Sequence, residues 1–247
     1  MSAAPLLEIR DLRAAFPGPH GPVEAVRGID LTLDAGEVLG VVGESGSGKS
    51  VAMMALLQLL PPSAIISGSA RFKGRELVGM PRGEIRQILG QEIGCIFQDP
   101  LSAFNPVLTI GDQILEAIRL HDRKISTQDA KRRVLDLLAS VSIPQPDRRV
   151  DQYPHEFSGG MRQRAMIAMA LANNPSLLIA DEPTTALDVT VQAQILDLLR
   201  QLAAERGIGM VLITHDLGVV AGMARDIAVM YGGRVVETGT ADDIFYD

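Results

Sequence analysis

Apolar and polar positions divide the chain into predicted strands and helices. Residues 6–16 and 24–34 alternate loosely between the two types and flank a Pro/Gly-rich break, which predicts two antiparallel strands. Residues 51–60 are apolar on nearly every side, so we expect a buried helix that Pro61-Pro62 ends. Short apolar runs predict further strands at 37–43, 69–72, 93–97, 177–180, 210–213 and 227–231.

The pattern becomes helical between about Pro100 and Ala170. Apolar residues recur at helical spacing over 110–120 and 128–141. The proline-rich stretch 144–154 predicts a hinge-like connector. We interpret this region as a helical subdomain inserted between strands of the main sheet.

Strands and helices alternate again after this region. A helix is predicted over 189–206, with Val191, Ile195, Leu198, Leu199 and Leu202 on one apolar face. Apolar strands that alternate with helices predict a mostly parallel sheet covered on both faces. The sequence therefore predicts an α/β fold in a single domain, 1–247. Its core with an N-terminal antiparallel β subdomain spans about 1–99 and 171–247, and its inserted α-helical subdomain spans about 100–170.

The composition argues against several classes of function. The net charge of −7 disfavours a protein that coats nucleic acid, because such binding needs Lys and Arg to neutralise phosphates. Aromatic residues make up only 4%, which disfavours a stacking surface for single strands. A single cysteine, Cys95, rules out an internal disulfide and fits a reducing compartment.

The apolar runs are too short to span a bilayer, which takes roughly 18 residues. Residues 1–10 lack a basic region followed by a long apolar stretch, so we expect no secretion signal. If the protein works at a membrane, we expect it to attach through a partner.

The most informative chemical signal is the loop Gly43-Glu44-Ser45-Gly46-Ser47-Gly48-Lys49-Ser50. It matches G-x-x-x-x-G-K-[S/T] between a predicted strand and a predicted helix. Glycines let backbone N–H groups turn inward around phosphate oxygens, and the helix N-terminus adds partial positive charge. We expect Lys49 to reach the β- and γ-phosphates of a nucleotide and Ser50 to bind Mg²⁺. The flanking strand and helix disfavour the alternative of a glycine-rich turn without function.

Two carboxylates end the apolar run Leu177–Ala180. Acids at the carboxyl end of a buried parallel strand lie where ligands bind in α/β folds. We expect Asp181 to hold Mg²⁺ and Glu182 to polarise a water that attacks the γ-phosphate. Taken alone, the pair is equally typical of an ordinary junction between a strand and a turn.

Ser158-Gly159-Gly160 precedes a helix predicted to run to about Ala172. Ser158 is a good N-cap, and the two glycines expose N–H groups toward an anion. A plain capped helix after a loop is the alternative.

Three further residues are weaker candidates. His215 follows a predicted strand and would contact a γ-phosphate, Gln98 follows another and would touch Mg²⁺ or the attacking water, and Phe16 would stack on adenine. Each also has an ordinary structural explanation as a strand-end or strand residue. We expect Cys95 to be a small core residue and not a nucleophile.

In this order, these elements resemble the ATP-binding cassette (ABC) family over essentially the whole chain. The resemblance identifies Gly43–Ser50 as the Walker A loop, Gln98 as the Q-loop, Phe157–Arg164 as the signature, Leu177–Glu182 as Walker B, Ala186–Asp188 as the D-loop and His215 as the switch histidine. Segments 97–106, 153–156, 183–190 and 215–221 are similar to the ATPase subunits of bacterial oligopeptide and dipeptide importers. The family implies a P-loop NTPase (RecA-like) core.

The resemblance also implies a mechanism. Two such subunits, identical or paralogous, pack head to tail, and each ATP with its Mg²⁺ lies between the Walker A loop of one and the signature of the other. Dimer closure on ATP and opening after hydrolysis then drive the transporter. The implied base is Glu182, the implied contact across the dimer is Asp188, the implied Mg²⁺ contacts are Ser50, Gln98 and Asp181, and the implied nucleotide contacts include Val51, Ser158, Gly159 and Gly160.

The implied partners are two transmembrane permease subunits and, indirectly, an extracytoplasmic peptide-binding protein, with no nucleic acid. The helical subdomain near 98–105 would receive a coupling helix of the permease, which places the subunit peripherally on the cytoplasmic face of the inner membrane.

Two alternatives stay open. A soluble ABC protein of DNA repair or translation usually carries coiled-coil insertions or two cassettes, and the sequence shows neither. An importer or exporter ATPase for another cargo, such as nickel or a glutathione-like peptide, is the second alternative, because the permease and the binding protein choose the cargo. Relatives in this branch continue into a His-Pro-Tyr segment and a cysteine-containing region, whereas this sequence ends at Phe245-Tyr246-Asp247. We therefore expect a truncated form without that extension.

Overall fold

The computed structural model describes residues 4–185 and 187–246. Ala186, the first residue of the predicted D-loop, lies outside the described residues. The strands are β1 Leu7–Phe16, β2 Val23–Leu33, β3 Val38–Val42, β4 Ile65–Phe72, β5 Arg75–Glu76, β6 Ile93–Ile96, β7 Leu177–Asp181, β8 Gly209–Thr214, β9 Asp226–Tyr231 and β10 Arg234–Thr240. The helices are α1 Lys49–Leu56, α2 Arg82–Ile88, α3 Pro100–Ala103, α4 Ile110–His121, α5 Thr127–Ser140, α6 Pro146–Arg149, α7 Gly159–Ala170, α8 Val189–Arg206, α9 Leu217–Ala221 and α10 Ala241–Tyr246.

The chain forms two compact units, Met1–Arg86 with Gly207–Asp247, and Gln87–Arg206. The first unit contains an antiparallel sheet in the order β2-β1-β4-β5. Its β1 and β2 coincide within a residue with the predicted N-terminal pair, and alternating side chains such as Leu7 and Ile9 of β1 are buried.

The same unit also carries parallel strands. β3 pairs in parallel with β8 on one side and with β9 on the other, and β10 adds an antiparallel partner to β9. All six residues of β8 are buried. Gly40 lets α9 pack closely against β3, since a Cβ there would lie 2.9 Å from a methyl group of Val220 in α9.

The second unit holds the parallel pair β6–β7 and helices α3 to α8. Helix α4 buries Ile110, Ile114 and Ile118, and helix α5 buries Val134 and Leu138. Their i, i+4 spacing is the helical pattern that the sequence shows. The α/β class, the antiparallel N-terminal sheet and the helices after β6 are confirmed.

Some predicted boundaries are wrong. The helix predicted at 51–60 begins at Lys49 and ends at Leu56, well before the prolines. Gln58 reverses the chain there with a left-handed φ of 55°, and its side-chain amide donates to the carbonyls of Leu77 and Met80. The hydrogen bonds of the Gln58 side chain, and not the prolines, thus end this helix.

The stretch 144–154 is more ordered than a hinge-like connector, because it contains α6 and begins the 3-10 turn Pro154–Glu156. Strand β4 contains the predicted residues 69–72 and extends back to Ile65. Within residues 4–185 and 187–246, no helix has both the length and the apolar character needed to cross a membrane.

Candidate functional site

The glycine-rich loop leaves the carboxyl end of β3 and leads into α1, as the sequence predicts. Gly43 has a φ of 155° and Gly48 a φ of 100°. A Cβ at Gly43 would collide with the carbonyl of Met230, and one at Gly48 would lie 2.5 Å from the carbonyl oxygen of Ala25. Backbone on a neighbouring strand cannot retreat from such a collision, so both positions require glycine.

Lys49 begins α1 and lies over the loop that precedes it. Its side chain is only 4% exposed, and its Nζ donates to the carbonyl oxygens of Gly43 at 2.7 Å and Glu44 at 2.9 Å. A buried ammonium is costly unless oxygens surround it, and a helix N-terminus adds partial positive charge at the same place. The loop therefore concentrates positive charge where an anion would be stabilised.

The rest of the loop divides into an exposed tip and a buried base. Glu44, Ser45 and Gly46 are exposed, whereas the base, Ser47 to Lys49, is buried. Ser50 and Val51 follow in the first turn of α1 and are half-buried. This division leaves the tip accessible to a ligand while the base is held by the protein.

A backbone buttress holds the base of the loop. The N–H of Gly233 donates to the carbonyl of Ser47 at 3.0 Å, and the N–H of Arg27 donates to the carbonyl of Gly233 at 2.7 Å. Gly232 and Gly233, with φ of 53° and 81°, form the tight turn between β9 and β10. Positive φ at both central residues is typical of a type I′ hairpin turn.

Two other predicted residues belong to this unit. Val42 pairs with Thr214, so Gly43 and His215 leave neighbouring parallel strands side by side. His215 is exposed, and Phe16 is half-buried at the end of β1. The register thus brings His215 beside the start of the glycine-rich loop.

The two predicted carboxylates end β7 in the second unit. Asp181 is the last residue of the strand and is 8% exposed, so the strand is one residue longer than predicted. Ile96 of β6 pairs with Ala180, and this register places Gln98 opposite Glu182. The Nε2 of Gln98 accordingly donates to Oε2 of Glu182 at 3.1 Å.

A turn carries the second donor to the same oxygen. The N–H of Thr185 donates to the carbonyl of Glu182 at 3.2 Å, and the hydroxyl of Thr185 donates to Oε2 of Glu182 at 2.8 Å. Glu182 has a φ of 45°, a left-handed conformation that costs a non-glycine residue about 1–2 kcal/mol. Sequence reasoning missed Thr185, although Pro183 as the second residue of a four-residue turn is a usable signal.

Cys95 lies in β6, beside Ile179 of β7. Burial, and secondarily the negative charge of Asp181, raises the pKa of its thiol to about 12. Cys95 is half-buried, and its thiol stays protonated at neutral pH, which disfavours a role as nucleophile.

Ser158 caps α7 as predicted, because its Oγ accepts from the N–H of Met161 at 3.3 Å. Ser158 and Gly159 are exposed. A Cβ at Gly159 would meet its nearest neighbour, a methyl group of Leu187, at 3.6 Å, whereas one at Gly160 would lie 2.8 Å from Cγ1 of Val191. Gly160 therefore permits the close approach of α7 and α8.

Asp188 has a local role that the sequence analysis missed. Its Oδ1 accepts from the N–H of Val191 at 3.0 Å, and its carbonyl accepts from the N–H of Gln192 at 2.8 Å, which makes it the N-cap of α8. Asp188 is exposed. Its predicted contact across a dimer stays a prediction.

Comparison with known proteins agrees with this geometry. Residues 26–185 match the family described as ABC transporter. The chain is 54% identical over 244 residues to the oligopeptide transport ATP-binding protein OppD of Bacillus subtilis (strain 168), covering 98% of this chain and 68% of that protein. It is 53% identical over 244 residues to the protein of the same name from Mycobacterium tuberculosis (strain ATCC 25618 / H37Rv), covering 99% of this chain and 40% of that one.

A solved structure is also similar. The dimeric, post-hydrolysis ATP-binding cassette MJ0796, bound to ADP and Pi, superposes with a TM-score of 0.85 at 27% identity, covering 95% of this chain and 98% of that one.

Proposed function

Because this chain belongs to the ABC transporter family, we propose that it is the ATP-binding and ATP-hydrolysing subunit of an importer of oligopeptides or dipeptides. The observation that carries the ATP-binding part is the buried Lys49 over a glycine-rich loop at a helix N-terminus. The names of the curated relatives support the peptide cargo over the soluble and nickel alternatives.

The loop provides donors suited to a triphosphate. The amides of residues 43–50 and the first turn of α1 contact phosphate oxygens, and Lys49 balances their charge. Val51 extends this contact surface, and Phe16 stacks on the base. The position of Lys49 supports this assignment, because its buried Nζ lies against the carbonyl oxygens of Gly43 and Glu44, inside the loop that would hold the phosphates.

A magnesium ion suits the oxygen donors at hand. Mg²⁺ prefers a few hard oxygen ligands together with substrate phosphates. The donor set, a hydroxyl from Ser50, an amide oxygen from Gln98 and the buried carboxylate of Asp181, meets that preference. When bound, the ion would neutralise charge on the phosphates.

The hydrolytic step is assigned to Glu182. Its carboxylate accepts a proton from the attacking water as the water oxygen forms a bond to the γ-phosphorus and the bond to the β–γ bridging oxygen breaks. His215 contacts the γ-phosphate and responds to its release. The hydrogen bond from Gln98 to Glu182 supports a shared role in holding that water.

Closure of a dimer couples the chemistry to transport. Ser158 and the amides of Gly159 and Gly160 contact the γ-phosphate held by a second subunit, and Asp188 contacts that subunit. The dimeric state of the similar cassette supports this arrangement. Two permease subunits then convert closing and opening into import, with a peptide-binding protein delivering cargo, and the ATPase lies at the cytoplasmic face of the membrane.

The test is peptide uptake by cells that express this chain together with two permease subunits and a peptide-binding protein. We expect Glu182→Gln to bind ATP, accumulate a closed dimer and abolish uptake, and Lys49→Ala to lose nucleotide binding. Glu205→Gln makes the same charge change at an exposed position of α8 and should leave uptake unchanged. Normal turnover by Glu182→Gln would remove it from the role of base, and uptake that persists with Lys49→Ala would refute the proposed function.

A further inference from the structure

The proposed function assigns no role to the hydroxyl of Thr185, yet this hydroxyl donates a hydrogen bond to a carboxylate oxygen of Glu182, the proposed base. Oε2 of Glu182 accepts from Thr185 Oγ1 at 2.8 Å and from Gln98 Nε2 at 3.1 Å. Hydrogen bonds to a carboxylate are shorter and stronger than those between neutral groups. Two donors on one oxygen restrict how the carboxylate can rotate.

The two donors are attached to the protein differently. Gln98 follows β6 and lies 84 residues away along the chain, whereas Thr185 lies only three residues beyond Glu182. The turn that connects Glu182 to Thr185 is closed by a backbone hydrogen bond of 3.2 Å. Pro183 at its second position fixes one backbone angle. The bond from Thr185 is therefore local to one short turn, whereas the bond from Gln98 depends on the pairing of β6 with β7.

The backbone of Glu182 adds a reason for such a brace. A left-handed φ of 45° at a non-glycine residue persists where surrounding contacts determine it. Thr185 makes a main-chain and a side-chain contact to this one residue, so it fixes both the strained backbone and the direction of the carboxylate.

We infer that Thr185 is a positioning residue for ATP hydrolysis, whose hydroxyl orients the carboxylate of Glu182 toward the attacking water. This inference rests on the proposed role of Glu182. It predicts a loss in the rate of the chemical step without a matching loss in nucleotide binding, since Thr185 acts through Glu182 and not on the phosphates.

The experiment compares steady-state ATP hydrolysis by the purified full chain with Mg²⁺. Thr185→Val keeps the shape and loses the hydroxyl, and we expect about a tenfold lower kcat with KM changed by less than about twofold. Thr185→Ser restores the hydroxyl and should recover most of the rate. Thr32→Val makes the same exchange at an exposed position of β2 and should match the wild type.

A second comparison separates orientation from a general structural effect. In a Glu182→Gln background, Thr185→Val should lower the residual rate no further, because the group it orients is already gone. If Thr185→Val fails to fold, Thr185→Ser and Thr185→Ala differ only in the hydroxyl and carry the same test. A wild-type kcat in Thr185→Val, failure of serine to rescue, or an undiminished effect in the Glu182→Gln background would overturn the inference. Absence of ATP turnover in the wild type would instead refute the proposed function.

Discussion

Adding one methyl group at Gly160 should destabilise the protein, whereas adding it at the neighbouring Gly159 should not. Both glycines lie in the first turn of α7, where alanine is favoured over glycine by up to about 1 kcal/mol. At Gly159 the new Cβ would have its nearest neighbour at 3.6 Å, an ordinary contact. At Gly160 it would lie 2.8 Å from Cγ1 of Val191, whose branched side chain has little rotational freedom.

Overpacking of this kind costs about 1–3 kcal/mol, and so Gly160→Ala should be less stable than Gly159→Ala by about that amount. The assay is thermal unfolding without nucleotide. For a chain of this size each kcal/mol shifts Tm by about 2–4 °C.

A Val191→Ala background provides the control, since it removes the methyl group that the new Cβ would strike. The difference in Tm between the two alanine variants should disappear there. Equal Tm values for the two variants in the parent chain would refute the close approach of α7 and α8, and so would a difference that survives Val191→Ala.

Two further outcomes can be measured on the same protein. Asp188→Ala should lose about 1 kcal/mol of stability because it removes the cap of α8. Asp188→Asn retains an acceptor and should stay within a few tenths of a kcal/mol of the wild type. Equal losses of stability for the two variants in thermal unfolding would contradict the cap. For Cys95, the folded thiol has a pKa raised to about 12, so its contribution to stability is complete below about pH 9 and is lost as pH rises toward 12. The free energy of unfolding of the wild type, measured with urea, should therefore fall by about 1.4 kcal/mol per pH unit relative to that of Cys95→Ala across that window. If the two proteins instead give parallel curves of unfolding free energy against pH, the thiol ionises freely in the folded protein.

Local signals in the sequence predict most of this fold. Apolar runs identify β3, β7 and β8 to within a residue or two, because parallel strands are buried on both faces. Ser158 is predicted as a cap since serine, the following glycines and a helical pattern occur together.

The missed features depend on contacts between distant residues. The pairing of Ile96 with Ala180, which places Gln98 against Glu182, is a matter of strand register that no local pattern states. The early end of α1 depends on where the carbonyls of Leu77 and Met80 lie, which only the folded chain determines. Asp188 was missed for a different reason: its hydrogen bond to Val191 is short-range, but the sequence analysis interpreted this residue only as a contact across a dimer. The bond from Thr185 to Glu182 is also short-range, and Pro183 in the same turn was the signal that the sequence analysis did not use.

The Gly232-Gly233 turn has a thermodynamic consequence for the binding of nucleotide. Its hydrogen bonds to Ser47 and from Arg27 fix the shape of the base of the glycine-rich loop. Little chain entropy then remains to be lost on association, so more of the contact energy appears as affinity. An engineer who lengthened that short hairpin by a few flexible residues would weaken ATP binding without touching a single group that contacts the phosphates.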